Sequence, residues 1–146
     1  MGNAVGERGP EYEPGSKFWY SDSGTDALGA VVETVAGKKL DEFVAEELLQ
    51  PLGMTDSFYF LDDEDPRRSR IASLYVGGAK RWTRFLDPDE GTFYPFAWGS
   101  QTLYSTPMDY AMFLAMWLDG GRVGERVVLS EGAVNAALAP RSEMCM

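Results

Sequence analysis

The chain has 146 residues, with 13 basic and 23 acidic side chains giving a formal charge of −10, and it is 45% hydrophobic and 13% aromatic. That balance fits one packed unit and argues against a nucleic-acid partner, since a phosphate backbone repels such a surface. Histidine is absent and the one cysteine is Cys145, so this chain holds no Ser-His-Asp triad, Cys-His dyad, His-based zinc site or internal disulfide.

Residues 1–16, rich in Gly, Pro and charge, read as a loop without a hydrophobic signal core, leading into Phe18-Trp19-Tyr20. From Thr25 onward, Leu28, Val31, Val32 and Val35 fall at i, i+3, i+4 and i+7, which predicts an amphipathic helix that packs along this stripe and stops at Gly37. Leu40, Phe43, Val44 and Leu48 form a second stripe, with Asp41 and Glu42 suited to a helix N-terminus and Pro51 forcing the end. Ala36-Gly37-Lys38-Lys39 joins the two helices as a hairpin. Pro51-Leu52-Gly53-Met54 is a turn with two large apolar side chains, and Phe58-Tyr59-Phe60 after it is expected to be extended, buried and an anchor for the hairpin.

Residues 62–68 are a charge run, expected as a solvated loop because the Gly and closing Glu of an EF-hand are missing. Residues 71–75 are short and apolar, and Gly77-Gly78 breaks them. Residues 82–98 hold Trp82, Phe85, Phe93, Tyr94, Phe96 and Trp98 among Pro and Gly; these rings either line a cleft or cover a core beneath a long loop. Thr106-Pro107-Met108-Asp109 combines a capping hydroxyl, a proline at N1 and a carboxylate at N3, opening a helix to Leu118 that Gly120-Gly121 ends. Apolar nearly all round, that helix is expected to be largely buried. Val123 and Val127-Val128-Leu129 flank Gly124-Glu125 as a small hairpin, and Ser130 caps a last helix bearing Val134, Ala137 and Leu138. The sum is mainly α with a few short strands. No apolar run reaches the roughly 18–20 residues of a bilayer span, and the compartment stays open.

Without His, hydrolytic or acyl-transfer chemistry must use Ser, Thr, Lys, Tyr or carboxylates. Tyr20, between an apolar anchor and a helix start, is either a phenol held at a cleft edge or a packing residue. Several blocks bear on that choice: Pro14-Gly15-Ser16-x-Phe18-x-Tyr20-Ser21-Asp22, then Leu28-Gly29, Gly37, Pro51-Leu52-Gly53-Met54, and Leu103-Tyr104-Ser105-Thr106-Pro107-x-Asp109-Tyr110-Ala111-x-Phe113. In this order they resemble the middle of the serine β-lactamase-related family, which includes class C β-lactamases, DD-peptidases and β-lactamase-like esterases. The resemblance runs from about residue 14 to about residue 140. It implies the helical lobe of an α+β, β-lactamase/transpeptidase-like fold with the sheet largely missing. Residues 1–146 are then one partial domain: a loop (1–16), the lobe (17–140) and a tail (141–146).

In that family Ser-x-x-Lys supplies the nucleophile and its lysine, Tyr-x-Asn supplies a proton-shuttling tyrosine, and a late Lys-Thr-Gly or His-x-Gly strand completes the pocket. Only the second has a counterpart here, because no serine is followed by Lys at the third position and neither late motif occurs. The resemblance carries Tyr20 over as the catalytic proton-transfer residue and implies no cofactor and no metal. Asp22 stands where the family often has Asn. A carboxylate only accepts hydrogen bonds, which weakens recognition of a β-lactam's acyl-amide carbonyl and leans toward an esterase-like or peptidase-like relative; Asp22 also reads as a cap for a helix beginning near Thr25. Trp98, closing the aromatic stretch, joins Asp22 as the candidate substrate-binding residue. Lys17 is expected to be solvated, leaving Tyr20 to titrate near the ordinary phenol value of ~10.

The expected function is therefore a central fragment of a serine hydrolase acting on a small-molecule acyl substrate (an ester, amide or peptide), with its nucleophile outside this chain and no activity alone. The alternative is a non-catalytic module that binds through residues 82–98 or associates with itself.

Overall fold

The computed structural model describes residues 7, 9–13, 15–79, 81–87 and 94–140. Phe93, Cys145 and the expected tail at 141–146 lie outside the described residues. Through residues 9–13 and 15–20 the chain holds no helix or strand.

The first helix, α1 (Asp22–Ala36), begins three residues earlier than the apolar stripe predicts, because Ser21 is its cap: the Ser21 hydroxyl accepts the Gly24 N–H at 3.0 Å. Asp22 is not the cap; it occupies the first turn, where a carboxylate meets the positive end of the helix. Gly37 ends α1 in the left-handed conformation, φ 65°, with its N–H on the Glu33 carbonyl.

The packing face of α1 is the reverse of the one expected. Leu28, Val31 and Val35 are 61%, 55% and 83% exposed, while Gly29 is buried. A Cβ at Gly29 would lie 3.2 Å from the Leu40 side chain and 3.5 Å from the Gly99 backbone. Only the small-residue side of the helix lets the chain approach this closely, so the branched side chains point away.

After Lys39 the chain continues as α2 (Leu40–Val44), a π-helical turn (Ala45–Leu49) and α3 (Gln50–Leu52), ending one residue past Pro51 at a left-handed Gly53. The wide turn inserts an extra residue into the helical phase. It moves Leu49 into register with Leu52, leaving Glu46 and Glu47 exposed, and both leucines enter the core at 6% and 2% exposure. Met54 and Met116 complete that cluster, with Leu48, Phe113, Trp117, Val123 and Leu129 packed around it.

Of residues 58–60, expected to be extended and buried, Phe58 forms an isolated β-bridge, Tyr59 lies in a bend and Phe60 is 37% exposed. Phe58 exchanges backbone hydrogen bonds with Tyr104, its ring stacks on the Tyr104 ring at 5.4 Å, and Tyr59 is buried. The charge run is more ordered than a solvated loop. It enters a 3₁₀ turn (Pro66–Arg70) capped by Asp65, which holds Arg67, while Arg68 pairs with Asp63 and Arg70 with Asp56.

Part of the aromatic stretch is a strand: β1 (Leu74–Gly78) pairs antiparallel with β2 (Arg81–Leu86). Gly77 and Gly78 are therefore the last two residues of β1 and pair with β2, and a Cβ at Gly77 would fall 2.1 Å from the Arg81 carbonyl oxygen.

The signals at the next helix hold. In α4 (Pro107–Leu118) the Thr106 hydroxyl caps the Asp109 N–H, and Gly120 and Gly121 follow with positive φ. Its burial is less than expected. Met108, Tyr110, Met112, Leu114 and Leu118 are all exposed, Leu118 at 90%, because the core reaches the helix along one side only, at Met116, Phe113 and Trp117. The buried Asp109 carboxylate accepts from the Asp56 N–H and the Ser57 hydroxyl at 2.8 Å each, and Ser57 also meets the Ser105 hydroxyl. This tie fixes the turn after α3 to the head of α4.

A short hairpin, β3 (Arg122–Val123) with β4 (Arg126–Val127), leads to α5 (Glu131–Leu138), which Ser130 caps and Val134 anchors. The fold is mainly helical with a few short strands. Among the described residues no helix is long and apolar enough to cross a membrane.

Candidate active site

Tyr20 stands immediately before the cap of α1, and its ring is 75% exposed. Its hydroxyl donates to Asp22 Oδ1 at 2.8 Å. The helix start places Asp22 two residues after the phenol with its carboxylate turned back toward it, so the pair is made locally. That hydrogen bond, followed by the negative charge of Asp22, holds the phenol above its ordinary value, not at it as expected from sequence. Lys17 offers no relief, because its ammonium sits over the rings of Tyr12 and Trp19, 4.1 and 4.8 Å from their centroids.

Trp98 comes to α1 from the other end of the chain. The Ser100 N–H donates to Asp26 Oδ1 at 3.0 Å, and Gly99 lies so close to α1 that a Cβ there would fall 2.4 Å from the Thr25 carbonyl oxygen. The Trp98 N–H donates to Thr102 Oγ1, and Thr102 takes φ 83°, a left-handed conformation that a β-branched residue adopts only under strain. The Trp98 ring stacks on Phe96 at 5.4 Å and meets Tyr94 at 4.9 Å. Among the described residues its buried Nε1 and the buried Ser100 hydroxyl have no hydrogen-bond partner.

Between α1 and residues 95–99 lies a cleft of ≈690 Å³, with Ser23, Asp26 and Glu33 on the helix side and Phe96 and Trp98 opposite. The cleft reading of the aromatic stretch thus holds for Phe96 and Trp98. It does not hold for Trp82 and Phe85, which sit on β2 and are 67% and 52% exposed.

The three residues expected at the site divide into two groups. Tyr20 and Asp22 form one hydrogen-bonded pair at the head of α1, and Trp98 lines the cleft that opens at Ser23. Sequence reasoning missed Asp26 and Glu33. Their i, i+7 spacing, in phase with Asp22 at i−4, was the available signal. Thr102 carried no signal, since nothing in its neighbours announces a positive φ.

Comparison with known proteins bears on all of this. The family model described as Beta-lactamase matches residues 3–142. A protein of Escherichia coli O157:H7 with the provisional name D-alanyl-D-alanine carboxypeptidase is 31% identical over 138 residues, a match covering 85% of this chain and 32% of that protein. The lovastatin esterase of Penicillium rubens is 36% identical over 63 residues, covering 43% of this chain and 16% of the esterase. Among solved structures, a penicillin binding protein from Bacillus halodurans superposes with a TM-score of 0.69 at 24% identity, over 92% of this chain and 38% of that one; at that identity the likeness is one of fold. The chain spans about a third of the length of the carboxypeptidase-named relatives it matches.

Proposed function

The chain belongs to the beta-lactamase family, and from that membership we propose that it is the tyrosine-bearing central part of a serine hydrolase that transfers or hydrolyses a small acyl group. The substrate is an ester, amide or peptide, and the acyl-serine forms on a nucleophile outside this chain. The observation that carries the reading is the exposed Tyr20 phenol, fixed on Asp22 at the head of the helix whose next turn opens on an aromatic cleft.

In such a reaction the serine hydroxyl must lose a proton as it attacks the acyl carbon, and the leaving group must gain one. A phenolate does the first and the resulting phenol the second. Asp22 raises the Tyr20 phenol above its ordinary value, which favours the phenol as a proton donor over the phenolate as a base. A cation must oppose Asp22 to release the phenolate near neutral pH, and the lysine that accompanies the family's nucleophile is the group to do it. Trp98 is the residue that seats the substrate's apolar part. Residues 1–146 act as one partial domain in this scheme.

The test is intact-mass labelling with penicillin and a fluorophosphonate. The longer parent enzyme is expected to gain one adduct on a serine, Tyr20→Phe is expected to slow labelling by about 10²-fold or more, and the 146-residue chain is expected to keep its mass. Adduct formation on the chain itself, or a parent indifferent to Tyr20→Phe, contradicts the reading.

A second reading, self-association, has its own observation in the exposed stripe of Leu28, Val31 and Val35 on α1. Sedimentation of the chain across concentrations checks it, with Val31→Lys expected to abolish any dimer.

A further inference from the structure

The cleft between α1 and residues 95–99 carries, opposite Trp98, carboxylates to which acyl transfer assigns no part. Its volume of ≈690 Å³ is that of a small-molecule site. One wall is aromatic: Phe96 stacks on Trp98, and Phe96 remains 50% exposed, leaving a ring face open. The other wall is α1, which presents Asp26 and Glu33, and Asp41 joins them from the head of α2. Against these three carboxylates the lining supplies one ammonium, Lys39.

Both α1 carboxylates are held in place by the backbone. The Ser100 N–H donates to Asp26 Oδ1 and the Leu40 N–H to Glu33 Oε1, each at 3.0 Å. Among the described residues the second oxygen of each has no partner. Fixed acceptors with an unmet oxygen, set across from aromatic faces, match the two needs of an organic ammonium, which are donation to carboxylates and a ring face for its charge. A substrate bearing a free carboxylate meets repulsion there.

We infer that this cleft binds a small organic cation, a primary ammonium carried on an aromatic or apolar body. For the acyl-transfer site this names the substrate class as amine-bearing, and in that respect it rests on the reading above. The binding itself needs no reaction.

Titration of the 146-residue chain with 2-phenylethylammonium and with 2-phenylethanol, equal in ring and chain but uncharged, tests it. The readout is the indole N–H signal of Trp98, assigned with Trp98→Phe. The cation is expected to shift that signal saturably and to bind about tenfold or more tightly than the alcohol. Asp26→Asn combined with Glu33→Gln keeps the acceptor oxygens for Ser100 and Leu40 and is expected to erase the preference. Equal affinity for the two probes, no shift with either, or a preference that survives the double variant overturns the inference. Should the double variant not fold, raising salt to ~0.5 M on the unaltered chain must weaken the cation and spare the alcohol; the opposite result overturns it. Cation binding with a parent enzyme that takes no label removes the acyl-transfer reading and keeps this one. A labelled parent whose cleft ignores the cation removes only this one.

Discussion

The Tyr20 hydroxyl donates a 2.8 Å hydrogen bond to the Asp22 carboxylate at the start of α1, and this bond, with the charge of Asp22, holds the phenol above its ordinary value. Because Asp22 favours the protonated phenol, its removal acts in a known direction. Asp22→Asn is expected to bring the Tyr20 value down toward 10.0, its ordinary position. Absorbance titration at alkaline pH, with Tyr20→Phe subtracted, reads the change. The raised value also gives a sign for stability. The contribution is present below the unfolded phenol value and is lost as pH rises through the folded one. An unmoved titration in Asp22→Asn means that the bond does not exist in solution.

Asp109 is 7% exposed and accepts from the Asp56 N–H and the Ser57 hydroxyl. Asp109→Ala leaves both donors without their acceptor and unties the turn after α3 from α4. The expected loss is about 3 kcal/mol of unfolding free energy, read by urea denaturation. Asp109→Asn keeps an acceptor oxygen and should lose less.

Gly99 admits no side chain, since a Cβ would fall 2.4 Å from the Thr25 carbonyl oxygen. Gly99→Ala is expected to push residues 98–100 off α1, break the Ser100–Asp26 bond and cost about 1–3 kcal/mol. Loss of the Trp98 contribution to near-UV circular dichroism, with the far-UV spectrum kept, is the matching signature.

Asp65 is held down to about 2 by its hydrogen bonds to Arg67, from an ordinary 3.8. A carboxylate lowered in the folded chain stabilises it above the unfolded value, and that gain fades as pH falls through about 2. Carbon NMR titration of the Asp65 carboxyl follows it, and Arg67→Ala is expected to return the midpoint toward 3.8.

What the sequence revealed was local. Thr106 with Asp109, Ser130, and the glycines at 37 and 120 act within one helical turn, so their residue types announce the caps directly. The face that α1 buries is a tertiary choice. Its Leu and Val stripe has the right period, yet close packing of Gly29 against Leu40 and Gly99 decides the orientation. The π turn at Ala45–Leu49 and the strand at Arg81–Leu86 were hidden for related reasons, one inside a helical period and the other inside an aromatic stretch. At the site, Tyr20 and Asp22 were legible as residues, but the bond between them depends on where α1 begins. Asp26 and Glu33 share a helix face with Asp22 in the sequence, but that this face lines a cleft depends on residues 95–99 packing beside it.

Under the proposed function, Tyr20 serves a serine and a lysine carried elsewhere on a longer polypeptide. Reading the encoding DNA past both ends of this frame tests it most directly. An in-frame Ser-x-x-Lys upstream and a Lys-Thr-Gly or His-x-Gly downstream are expected; stop codons closing the frame before either motif would rule out this role for Tyr20.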